Sequence, residues 1–136
     1  MRILILGGTV FLSREIARQA LERGHEVTCV SRGDGIPDGA THVRIDRAAV
    51  IDPAAPAWQA LAAQRWDAVV DVARTPSWMR TASTALADAA KHWTFVSTIN
   101  VYADLSHPGA SAGGAVLVEP SAAGDLDKLD FVDASA

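Results

Sequence analysis

Cysteine is almost absent: Cys29 stands alone in 136 residues, so no disulfide can form within the chain, and a reducing compartment, the cytoplasm, is expected. Basic clusters are missing too. The 12 Lys+Arg stand against 16 Asp+Glu for a formal charge of −4 with no basic block longer than two residues, so a nucleic-acid partner is not expected. Long apolar runs are also lacking: Ile3-Leu4-Ile5-Leu6 stops at Gly7-Gly8, too short for a signal-peptide core or a membrane span, and neither export nor a membrane partner is expected. His25, His42, His92 and His107 are scattered without paired spacing, and no metal is expected. What is plentiful is core material. With 49% hydrophobic residues the chain reads as one domain, long enough to bury roughly 68–70% of its unfolded surface without staples.

The apolar run Ile3–Leu6 closed by glycines is the pattern of a strand buried on both faces. From Phe11 to Arg23, Leu12, Ile16, Ala20 and Leu21 recur at helical spacing, and Gly24 sits where a left-handed cap is wanted. Val27–Val30 is β-branched and short, a second strand; three glycines between Ser31 and Thr41 then mark a loop. A third strand is expected over His42–Asp46 and a helix over Ala54–Arg65, with Trp58, Leu61 and Ala62 inward. Ala68–Ala73 reads as the fourth strand. Thr75-Pro76 reads as an N-cap residue followed by Pro in the first helical position, opening a helix to Ala90 whose Met79, Ala82 and Leu86 face the sheet. Trp93–Ile99 is the fifth strand. Alternating strands and helices of these lengths specify an α/β fold, a parallel sheet with helices on both faces. Residues 103–136 break the rhythm, with a short strand over 115–118 and otherwise a weakly ordered tail. Trp58, Trp66, Trp78 and Trp93 read as core or partner surface.

The first turn carries the chemistry. Gly7-Gly8-Thr9-Val10-Phe11-Leu12-Ser13 lies between a buried strand and an amphipathic helix, where unpaired N–H groups and the positive end of the helix dipole suit a phosphate. Gly7 lets the chain turn tightly and Gly8 lets the backbone approach a ligand. A glycine pair that turns the chain and binds nothing is the plain structural alternative.

The segment Arg2-Ile3-Leu4-Ile5-Leu6-Gly7-Gly8-Thr9-Val10-Phe11-Leu12 resembles the opening of the NAD(P)-dependent epimerase/dehydratase group, in the extended short-chain dehydrogenase/reductase superfamily. The group's G-x-x-G-x-x-G falls on Gly7, Val10 and Ser13, so two glycines are replaced, as in its divergent G-G-T-x-F branch. Val10 narrows the approach to a pyrophosphate and Ser13 adds bulk where helix and strand pack. The resemblance implies a Rossmann-type, doubly wound sheet of about five strands, with Gly7, Gly8, Thr9, Val10, Phe11 and Leu12 around the cofactor diphosphate. Ser31 and Arg32, at the exit of the second strand, better suit the 2′-phosphate of NADP, while nearby Asp34 keeps NAD open. Asp46-Arg47 resembles the position that reads the adenine amino group; a strand-end cap is the alternative for Asp46. Val72, Ala73 and Arg74 line the crevice, whereas Asp71 reads as a buried structural carboxylate. Phe95-Val96-Ser97-Thr98-Ile99-Asn100-Val101-Tyr102 resembles the family's S-[ST]-x-x-V-Y segment, which puts Ser97 at the cofactor and Thr98 in the catalytic Ser/Thr position.

One family element is missing from the sequence. The general acid/base Tyr with a Lys four residues later has no counterpart: Tyr102 is followed by Ser106, and Lys91 and Lys128 are the lysines present. The resemblance covers residues 1 to about 120 and corresponds to the N-terminal half of such an enzyme, with a dinucleotide-binding part over 1–102 and a tail over 103–136 leading toward a truncated catalytic half. The resemblance implies a binding domain of an enzyme that moves hydride at a secondary alcohol or ketone, with a nucleotide sugar among the substrate classes, inactive alone unless a homo-oligomer or complementing chain supplies the pair. A non-catalytic redox sensor or docking module is the alternative.

Overall fold

A computed structural model of the chain describes residues 1–97, 101–104, 106 and 116–117. Five strands, β1 (Arg2–Leu6), β2 (Glu26–Ser31), β3 (Thr41–Arg44), β4 (Ala68–Asp71) and β5 (Trp93–Phe95), form one parallel sheet in the order β3-β2-β1-β4-β5. Chain order reverses between β1 and β4. The helices are α1 (Phe11–Glu22), α2 (Pro56–Ala62) and α3 (Pro76–Ala85). The doubly wound α/β sheet expected from the sequence is therefore the fold.

Each face has its own core. Ile5, Val27 and Cys29 pack with Ala17 and Ala20 of α1, while Leu4, Leu6, Val30 and Val69 pack on the other face with Trp58, Leu61, Trp66, Ala82 and Leu86. The stripe expected on α1 is shifted. Ser13, Ala17 and Ala20 are the buried positions, Ile16 and Leu21 are half-buried, and Leu12 is exposed. Small residues at the contact let the helix lie close to the sheet, which rotates the larger ones to the flanks. Gly24 ends α1 with φ +77°; its N–H bonds Leu21 O at 2.8 Å and His25 N–H bonds Ala20 O at 3.1 Å, a Schellman cap.

Several ends differ from expectation. β3 closes at Arg44 rather than Asp46, β4 at Asp71 rather than Ala73, and β5 at Phe95, short of Val96 and Ser97, because the chain leaves the sheet as soon as ladder partners end; residues 98–99 of the expected fifth strand lie outside the described residues. α2 starts two residues later than expected, with Pro56 in its first turn, and α3 stops at Ala85, although Ala82 and Leu86 are buried as read. Trp58 and Trp66 are fully buried in the core, Trp93 is half-buried against it and Trp78 is half-buried beside Arg47; the exposed large apolar residues near the glycine turn are Val10, Phe11 and Leu12. Of the strand expected over 115–118, Leu117 bridges Tyr102 antiparallel, with Ala103 N–H on Val116 O at 2.8 Å; most of the tail expected over 103–136 lies outside the described residues. No helix among the described residues is long and apolar enough to cross a membrane.

Candidate functional site

The strands run parallel with Leu6 paired to both Val30 and Asp71, so the chain leaves β1, β2 and β4 at one edge of the sheet, next to the β1/β4 reversal. In open α/β sheets ligands lie at that carboxyl edge.

The turn after β1 is built by its glycines. Gly7 N–H bonds Val30 O at 2.8 Å, and Gly7 and Gly8 take φ +137° and +113°, a region other residues rarely adopt. A Cβ on Gly7 would lie 3.1 Å from Ser13 and from Val72 Cγ2; on Gly8 it would lie 2.8 Å from Cys29 Cβ and Sγ. Val10 is the extended N-cap of α1, and the first turn of the helix has no acidic residue to compete for its amides. Ser13 does more than add bulk. Fully buried, its Oγ accepts Gly8 N–H at 2.9 Å and donates to Val10 O at 3.2 Å, stapling the turn closed. Burial pushes the Cys29 thiol beneath the turn up to about 11.

Ser31 is buried, with Oγ donating to Gly33 O at 2.8 Å and hydrogen-bonded with His42 Nε2 at 2.8 Å. Arg32 is exposed, and the nearby Asp34 carboxylate is paired with Arg44, whose guanidinium also donates to Arg32 O at 3.2 Å. Asp46 is half-buried, with Oδ1 accepting Ala48 N–H at 3.0 Å, so it does cap the chain leaving β3. Arg47 turns inward rather than toward the crevice. Its guanidinium grips Asp71 with two bonds of 2.9 and 2.8 Å, between the rings of Trp58 and Trp78 at 5.9 and 5.7 Å. Asp71 is the buried carboxylate read from the sequence, and it also accepts Ala73 N–H at 2.9 Å. Val72 is half-buried against Gly7, Ala73 is buried, and Arg74 and Ser97 are exposed. Thr98 lies outside the described residues.

Gly7, Gly8, Asp46, Val72 and Ala73 thus follow the ends of neighbouring strands, and Ser31 ends one, at one edge of the sheet. Thr9, Phe11 and Arg14 open instead on a groove of about 650 Å³ that α1 forms with Pro37 and Asp38. The Ser13 staple and the Arg47–Asp71 pair were not readable as partners: each joins residues whose proximity only the folded turn or the sheet order creates. The one signal was an acid inside Val69-Val70-Asp71-Val72, which needs a buried cation.

The parallel sheet is matched among known proteins. The model of the NAD dependent epimerase/dehydratase family matches residues 3–114. Among solved structures, the chain superposes on UDP-N-acetylglucosamine 4-epimerase from Bacillus cereus with TM-score 0.61 at 21% identity, covering 83% of this chain and 44% of that one. It superposes on UDP-glucose-4-epimerase from Stenotrophomonas maltophila, solved with bound NAD and formylated UDP-arabinopyranose, with TM-score 0.64 at 19% identity, over 81% of this chain and 40% of that one. At such identities the likeness shows the fold. The photosystem II assembly factor Ycf39 of Synechocystis is 53% identical over 32 residues, 24% of this chain and 10% of that protein. The chain spans less than half the length of each of these relatives.

Proposed function

The chain belongs to the NAD dependent epimerase/dehydratase family, and from that premise we propose that its carboxyl edge binds NADP in preference to NAD, as the binding domain for hydride transfer at a secondary alcohol or ketone. A nucleotide sugar is the substrate class this reading favours, as in the epimerases of like fold. The observation that carries it is the turn at Gly7 and Gly8: positive φ at both, and close packing of the turn on Ser13, Val72 and Cys29, bring the chain from β1 straight to the N-terminus of α1 beside the strand reversal, where the first helical turn has no acidic residue. Those residues fit a dinucleotide diphosphate.

Backbone amides at Thr9 and Val10 and the first amides of α1, at Phe11 and Leu12, hold the diphosphate, while Gly7 and Gly8, whose N–H groups are bonded to Val30 and Ser13, shape the turn. Arg32 meets the 2′-phosphate, which is favoured because Arg44 already neutralises Asp34. Asp46 keeps one carboxylate oxygen for the adenine amino group beyond its cap to Ala48. Val72, Ala73 and Arg74 line the crevice, and Ser97 leads to Thr98, whose hydroxyl polarises the substrate oxygen. A bound nicotinamide supplies the hydride chemistry. Residues 1–136 contain no Tyr-x-x-x-Lys to move the proton, so these residues are read as the binding part of the enzyme; a redox sensor or docking module is the second reading.

The test is thermal unfolding with NADPH and NADH. Ligand at 100 times its Kd stabilises by about 2.7 kcal/mol, so NADPH raises Tm by several degrees, more than NADH, and Arg32→Ala removes the difference. No shift with either at millimolar concentration overturns the reading.

A further inference from the structure

Asp71 ends β4 fully buried, and Arg47, three residues beyond β3, reaches it across the sheet with both terminal nitrogens. The pair does two things at once. Asp71 Oδ1 holds the amide of Ala73, the first turn after β4, while the guanidinium anchors the turn after β3 that carries Asp46. Trp58 of α2 and Trp78 of α3 close over it, so both helices are referenced to the same two side chains.

Stability alone does not account for this arrangement. A buried ion pair repays its desolvation poorly, and an apolar pair of like volume does as well or better. Arg47 Nε is moreover buried with no hydrogen-bond partner, a further cost. What the pair supplies and an apolar pair cannot is direction: two parallel N–H···O bonds fix both separation and angle.

We propose that Arg47 and Asp71 are positioning residues that set the spacing between the turn at Asp46 and the turn at Ala73, the two walls that grip the adenosine half of the dinucleotide. They act through those turns and touch no ligand. The proposal rests on the dinucleotide reading above.

The test is isothermal titration of ADP-ribose and its 2′-phosphate into the 136-residue chain and two variants, with apo Tm measured alongside. In Arg47→Met/Asp71→Leu, the apolar replacement keeps apo Tm near that of the wild type while affinity for both probes falls at least tenfold. In Arg47→Lys, which keeps the charge and gives up the fork, the chain folds and affinity again falls at least fivefold; this variant decides the matter where the double replacement does not fold. A folded variant of either kind that binds as tightly as the wild type overturns the positioning role and leaves the dinucleotide site standing. A wild-type chain that binds neither probe overturns the dinucleotide reading, and this proposal with it.

Discussion

A methyl group at Gly8 would meet Cys29 Cβ and Sγ at 2.8 Å and would sit on a backbone of φ +113°. Strain and overpacking both oppose it, and Gly8→Ala is expected to cost about 2–4 kcal/mol in urea unfolding. Adding Cys29→Ala does not rescue it, because Cβ of residue 29 remains in the way. Gly24 makes the comparison: its φ is +77° but a Cβ there meets nothing within 4 Å, so Gly24→Ala costs about 1 kcal/mol, from strain alone. The thiol beneath Gly8 gives a second reading of the same contact. Burial raises Cys29 to about 11, so at pH 8 it is protonated in the folded chain. A thiol reagent at pH 8 is expected to leave Cys29 unmodified over an hour and to label it fully in denaturant; rapid labelling of the native chain would mean that the turn opens.

Helix α1 is held to the sheet at Ser13, Ala17 and Ala20, and its charged side carries Glu15 and Glu22 on Arg18. Ser13→Ala removes the acceptor of a buried N–H without changing the backbone. It is expected to lower stability by about 1–2 kcal/mol and to weaken NADPH binding, read as a smaller Tm shift, since Val10 and Gly8 are no longer tied. A variant with unchanged stability would show that the staple contributes nothing. This is also where reading the sequence reached its limit. Element type and order were legible because hydrophobic period and Gly/Pro punctuation are local: Ile3–Leu6 before glycines, Gly24 after a helical stripe, Pro76 after Thr75. Which side of α1 faces the sheet was not, because helical spacing alone does not separate a stripe of Leu12 and Ile16 from one of Ser13 and Ala17; close packing chose the smaller residues. The strand ends slipped for a similar reason, since the ladder partner that ends β5 at Phe95 lies 24 residues earlier, at Asp71. The glycine cradle could be placed from sequence because its determinants are contiguous, whereas Arg47 was expected at the ligand and instead reaches Asp71, 24 residues away.

Across the whole molecule the two edges of the sheet do different work. The carboxyl edge carries the glycine turn and the N-terminus of α1, while the amino edge is tied by carboxylates, Glu26 on Arg2 and above all Asp67. Asp67 accepts Arg2 N–H at 2.8 Å and Lys91 Nζ at 2.7 Å, joining the starts of β1 and β4 to the approach to β5, and Arg2 lies over Trp66 at 4.9 Å. The Lys91 ammonium and the Arg2 amide hold Asp67 below the ordinary carboxylate range, and Arg18 holds Glu15 down at about 2. A group depressed on folding binds fewer protons in the native state than in the unfolded one, so its stabilisation is complete above the unfolded pKa, near 4, and is lost as pH falls through the folded value. Tm is therefore expected to fall on acidification from about pH 4.5 toward 2. Asp67→Asn starts lower at pH 7 and falls less over that window, and the two curves converge. The amino and carboxyl edges lie roughly 15 Å apart, the length of a five-residue strand, beyond the range over which substitutions usually couple. Asp67→Asn should thus lower Tm at pH 7 while leaving the Tm increment from NADPH unchanged; a diminished increment would mean that the β1–β4 ladder transmits strain from the clamp to the glycine turn.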